Sequence, residues 1–187
     1  MPVRKDIPYN EGLFFITFTC YKWLPLIEQT NGYDLVYNWF DYLKKQNHRI
    51  AGYVIMPNHV HALIDFTRTT KKINTVIGDG KRFMAYEIIK RLKEAGQTDV
   101  LALLEKAVTA KSKDKGKNHE VWEESFDWKI CETIEFTYQK LMYMPGCTEC
   151  SVKKEIVTVS LSLWHSHPFG TTQAFILLSN QLRQIIF

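Results

Sequence analysis

Two histidines stand one residue apart in the run His59-Val60-His61. On an extended chain, side chains at i and i+2 leave the same face, so both imidazoles are presented side by side. Adjacent imidazoles are ligands for a divalent metal. The plainer alternative is a pair of exposed or hydrogen-bonded histidines beside a turn. A second grouping, Cys147-x-x-Cys150 followed by His165-Ser166-His167, has the outline of a zinc site. Structural zinc sites space their histidines by about three to five residues, and the intervening segment here is apolar, so this grouping is read as a decoy. His48 and His119 fall near the ends of expected elements and are read as solvent-exposed.

Charge is the other feature with chemical content. Between Phe66 and Lys117 stand thirteen Lys and Arg against six acids, a net of +7 in a chain whose total is +4. That concentration is the footprint of a binder of phosphate backbones, or else a solvated helix face followed by a lysine-rich loop. The 187 residues are 45% hydrophobic and 24% charged, an ordinary globular composition that argues against disorder, collagen-like repeats and a coiled coil. No run approaches the roughly 18 apolar residues of a membrane span. The opening residues lack the apolar core of a signal peptide, and four Cys in this length speak against a disulfide scaffold. The expectation is a cytoplasmic protein with no membrane partner.

The histidines need a strand, and the sequence offers one. His59 to Phe66 reads HVHALIDF. Ile50 to Met56 precedes it, and Pro57-Asn58 between them is a turn signal, so the two form a hairpin. Gly12 to Trp23, rich in aromatic and β-branched residues, is a further strand. Gly32 to Gln46 places Leu35, Val36, Trp39, Phe40 and Leu43 at helical spacing. Ile73 to Ala95 is a long helix that Gly78 and Gly80 weaken near its start. Leu101 to Ala110 is a short helix and Lys111 to Asn118 a polar loop. A fourth strand lies within Val121 to Cys131, and Thr133 to Met144 is a helix that stops at Pro145-Gly146. The core order β-α-β-β-α-β-α predicts an α+β, ferredoxin-like (split βαβ) antiparallel sheet with helices on one face.

The run Gly52 to Ile64, GYVIMPNHVHALI, resembles the signature of the single-tyrosine HUH transposases, and Met56 to His61 is most similar to their REP-associated tyrosine transposase branch. Phe15 to Cys20 is similar to that family's first strand. Ile77 to Tyr86, with Lys81 inside it, resembles the start of its long helix, and WEESFD at Trp122 to Asp127 resembles the segment before its last helix. The likeness runs from about Tyr9 to Met144. It implies that His59 and His61, with a third polar ligand, hold Mg²⁺ or Mn²⁺, which polarises a scissile phosphate. It also implies a tyrosine that attacks the phosphorus, giving a 5′-phosphotyrosine and a 3′-OH. The family's tyrosine follows a Lys-Leu-x pattern, which Lys140, Leu141 and Tyr143 match, so Tyr143 is the implied nucleophile and Tyr138 the runner-up. As plain helix aromatics, both would instead pack on the sheet. The implied substrate is single-stranded or hairpin DNA, its phosphates met by Lys71, Lys72, Lys81, Arg82, Lys90 and Arg91, with the chain a monomer or a homodimer.

Past Met144 the resemblance stops. The polar residue expected four positions after the tyrosine, which would complete the metal shell, is Cys147 here, and Pro145-Gly146 intervenes. Residues 145–187 hold three basic and two acidic residues and are rich in Ser, Thr, Val, Leu and Ile. The chain therefore divides into a transposase-like domain, 1–144, and a divergent tail, 145–187. The tail either adds a strand and a helix or comes from a shifted reading frame. Without a third ligand, a second function also fits: a catalytically inactive remnant that binds DNA or RNA hairpins, since this sheet is also the scaffold of RNA-binding modules. A replication-initiation or relaxase enzyme is a third reading, and MPNHVH argues against it.

Overall fold

A computed structural model describes residues 6–114 and 116–143 of the chain. The expectations for residues 145–187, including the Cys147/Cys150 and His165/His167 grouping, lie outside the described residues. Four strands carry the architecture: β1 (Gly12–Thr19), β2 (Arg49–Ile55), β3 (His59–Phe66) and β4 (Asp127–Ile130). The helices are α1 (Leu26–Gln29), α2 (Tyr33–Lys45), α3 (Ile73–Glu94), α4 (Thr98–Lys106), α5 (Ala110–Lys113) and α6 (Ile134–Tyr143), with one 3₁₀ turn at Tyr21–Trp23. No described helix is long and apolar enough to cross a membrane.

The strands form one sheet in the order β2-β3-β1-β4, every neighbouring pair antiparallel. β3 sits between β1 and β2, which are joined through α2, so the split βαβ arrangement expected from the element order is present. Alternation along β1 explains which face is dry. Phe14, Ile16 and Phe18 are fully buried and meet Val60, Ala62, Ile64 and Phe66 of β3 in the main core. Onto that face α2 lays Leu35, Val36, Trp39, Phe40 and Leu43, and α3 lays Ile73, Ile77, Met84, Ile88 and Leu92. Burying each large apolar side chain contributes roughly 1.5–3 kcal/mol, so these stripes fix the face on which the two helices lie.

Several expectations shift in detail. The first strand stops at Thr19 rather than Trp23, because Cys20 pairs with Trp122 and the chain then turns through left-handed Lys22 (φ 50°) and Trp23 (φ 59°). The short helix begins at Thr98, and a second turn of helix, α5, lies in the expected loop, where Thr109 accepts a hydrogen bond from the Ser112 N–H. His48 is buried rather than exposed. The left-handed Asn47 (φ 64°) turns it inward, its ring lies 5.1 Å from Phe66, and its Nδ1 is 3.2 Å from Thr67 Oγ1. His119 is half-buried. The arrangement of helices on one face describes α2 and α3, whereas α6 brings Tyr143 to the opposite face, where Phe15 and His61 point.

Candidate active site

Both histidines leave β3 on the face away from the main core, as their spacing requires. Their ring centroids are 4.8 Å apart, and both residues are buried. Register supplies the supports. Thr17 of β1 lies opposite His61, and its Oγ1 is 2.7 Å from His61 Nδ1. The Asn58 Oδ1, in the β2–β3 turn, is 2.7 Å from His59 Nδ1 and accepts a hydrogen bond from it. The Phe15 ring stacks on His61 at 5.4 Å, and the Trp23 ring meets His59 edge-on at the same distance. Burial first, then the charges of His59 and Lys140, push His61 down to about 4, so it is neutral at pH 7.

The end of α6 closes the cluster. The Tyr143 ring lies 5.8 Å from His61 and 6.4 Å from Phe15, and half of the residue remains open to solvent (52%). The Lys140 ammonium, one helical turn earlier, stands over the Phe15 ring at 5.2 Å and the Tyr143 ring at 5.7 Å. Tyr138 is five residues before Tyr143, about 140° around the helix, so it leaves α6 in a different direction. Geometry thus brings Tyr143 to the histidine pair, 82 positions along the chain from His61. The nearby Cys20 is no rival nucleophile, since burial pushes its thiol up to about 12.

Comparison with known proteins adds little. No family model matches the sequence, and no curated protein matches it. Among solved structures, a REP-associated tyrosine transposase bound to a REP hairpin is similar at 14% identity and a TM-score of 0.46, over 77% of this chain and 70% of that one. A Deinococcus radiodurans protein assigned as a transposase is similar at 14% identity and a TM-score of 0.38, over 77% of this chain and 97% of that one. At those TM-scores neither likeness carries weight, and the site stands on its own geometry.

The donor set can be tested against a metal. Among the described residues no group of three or more His, Cys, Asp or Glu converges on one point. What the chain presents is two imidazoles on one patch, each oriented through Nδ1 by a hydroxyl or an amide. That is the way ligating histidines are held. Two imidazoles so held would supply two ligands to a divalent ion, and among the described residues no third His, Cys, Asp or Glu joins them.

The basic residues divide. Lys71 and Lys72 are exposed just before α3, and Lys71 reaches Asp79 at 3.9 Å. Arg82 and Lys90 are exposed and bridge to Asp79 and Glu87 on their own helix. Lys81 is buried, and its ammonium donates to the Glu123 and Ser125 carbonyls at 2.9 and 3.3 Å, tying α3 to the segment before β4. Arg91 grips the Asp34 carboxylate with two nitrogens at 2.8 and 2.6 Å and also donates to the Thr30 and Asn31 carbonyls. Lys81 is thus engaged in the interior, and Arg91 is engaged by Asp34 at the surface. The sequence reading missed Thr17, Asn58 and Trp23 as part of the site. The i, i+2 pattern of Phe15 and Thr17 on β1 was a signal for the first of them; the other two depend on turn geometry.

Proposed function

We propose that the chain cuts and rejoins DNA strands with Tyr143 as nucleophile and His59 and His61 as ligands of Mg²⁺ or Mn²⁺, a transposase-type reaction on single-stranded or hairpin DNA. The observation that supports it most is the approach of the Tyr143 ring to His61, 5.8 Å, from an element 82 positions further along the chain. When bound, the metal supplies Lewis-acid polarisation of a phosphoryl oxygen. Everything else falls to side chains. The buried, neutral His61 keeps its lone pair available at pH 7. Thr17 and Asn58 hold the two rings in place, which lowers the entropic cost of assembling the site. Tyr143 is exposed enough to reach a phosphate in solution.

In the reaction the Tyr143 oxygen bonds to phosphorus and the bond from phosphorus to the 3′ oxygen breaks. The phenolic proton ends on the released 3′-OH, and the 5′ side stays attached to the protein. Phosphodiester energy is conserved in that link, so the reverse attack rejoins strands with no further cofactor. Lys140, its ammonium 5.7 Å from the Tyr143 ring, would offset the negative charge that gathers on the phosphate and the tyrosine oxygen.

A second reading, a binding module without chemistry, is favoured by one observation: among the described residues no third His, Cys, Asp or Glu joins His59 and His61. The two part in a single assay. The full chain, mixed with 5′- or 3′-labelled hairpin DNA and Mn²⁺, should yield a denaturant-resistant protein–DNA band that EDTA abolishes. A retarded native band with no covalent band under any divalent metal would establish the binding module instead.

A further inference from the structure

Trp23 is the largest exposed side chain at the histidine cluster, 58% open to solvent, and its ring meets His59 at 5.4 Å. Its backbone is left-handed (φ 59°), as is that of Lys22 (φ 50°). A bulky aromatic residue rarely takes that conformation, and such strain persists only where surrounding bonds over-determine it. Here they do. The Lys22 N–H donates to the Glu123 carboxylate at 2.9 Å, and the Trp23 N–H donates to the Cys20 carbonyl at 3.0 Å. The Asn58 side-chain N–H donates to the Trp23 carbonyl at 3.2 Å. The other atom of that same amide, Oδ1, accepts from His59. One asparagine therefore ties the His59 ring to the backbone of the residue that carries the exposed indole.

We propose that Trp23 is a stacking platform for one base of single-stranded nucleic acid, seated beside the His59–His61 cluster. The inference rests on the nucleic-acid reading above. An indole carried on a held backbone and open to water offers a π-face that any base can cover, and an adjacent cation holds the nucleic-acid backbone, the usual pairing in single-strand binders. Lys22, exposed, provides that cation, its ammonium 5.4 Å from the Tyr21 ring.

The test uses the full chain in EDTA, so that binding is separated from chemistry. Two fluorescent oligomers of equal length serve as probes, one of thymidine and one of abasic sites, which share phosphates but not bases. The wild-type chain should bind the thymidine oligomer more tightly than the abasic one, by roughly 5- to 150-fold, the range of one base–aromatic stack. Trp23→Ala should lose that preference while keeping its affinity for the abasic oligomer, and Trp23→Phe should keep most of it. Equal preference in the wild type and Trp23→Ala overturns the proposal, as does a wild type that ignores bases or binds neither oligomer. Far-UV circular dichroism and a thermal melt establish that each variant is folded. If preference is lost in Trp23→Ala while the wild type forms no covalent adduct with Mn²⁺, the stacking role stands and the strand-transfer reading falls.

Discussion

Protonation of His61 gives a sharp test of the site as drawn. In the folded chain its pKa is pushed down to about 4, mainly by burial and further by His59 and Lys140. Once the chain unfolds, it titrates near 6.5. Between those values the unfolded chain binds a proton that the folded one refuses. Stability is therefore fully present above about pH 6.5, falls as pH drops toward 4, and levels off below. The whole effect corresponds to about 3 kcal/mol, of which about 2 kcal/mol is lost between pH 7 and pH 5. Urea unfolding in EDTA, followed by circular dichroism at pH 7, 6 and 5, measures it. His61→Gln removes the titrating group, while His48 and His119, also pushed down by burial, remain in both proteins and cancel in the comparison. The wild type should lose about 2 kcal/mol more than the variant over that window. Parallel pH profiles would refute the burial and charge environment assigned to His61.

Two glycines of α3 should answer alanine in opposite ways. A Cβ at Gly80 would sit 2.2 Å from Trp39 Nε1, so Gly80→Ala should cost about 1–3 kcal/mol. At Gly78 nothing lies within 4 Å, and Gly78→Ala should add about 0.5–1 kcal/mol by helix propensity; thermal melts decide both. Lys81→Gln should destabilise the fold by about 1–3 kcal/mol with no change in the salt dependence of DNA binding, whereas the double variant Lys71→Gln, Lys72→Gln should leave the melt unchanged and lower the salt slope by about 2. Thr17→Val, which removes the hydroxyl beside His61 Nδ1, should weaken Mn²⁺ binding by about 10–100-fold in calorimetry with little loss of folding.

Periodicity and residue type carried much of this structure. The hairpin, α2 and α3 lie within a residue or two of where apolar spacing places them, because their stripes are long and each finds a partner face. His59 and His61 share a face for the same local reason. What local pattern could not show were consequences of distant contacts. Lys81 sits in a basic stretch, yet two backbone carbonyls more than forty residues away draw it inward. Gly80 looks like a weak point in a helix and is a point of close approach to Trp39. The turn at Lys22 and Trp23 interrupts a run of strand-forming residues, and bonds with Cys20, Glu123 and Asn58 hold it. β4 is four residues long, and none of them is fully buried, so alternation there is faint. Tyr143 was singled out by resemblance alone; its place beside His61 follows from α6 lying across the sheet face opposite α2 and α3.

The most direct test is to find where the DNA becomes attached. After reaction with hairpin DNA and Mn²⁺, nuclease and protease digestion followed by mass spectrometry should find a nucleoside 5′-phosphate on the peptide containing Tyr143, and Tyr143→Phe should carry none. The same mass on a peptide ending before Tyr143 and containing Tyr138, or an adduct that persists in Tyr143→Phe, would contradict the assignment of the nucleophile.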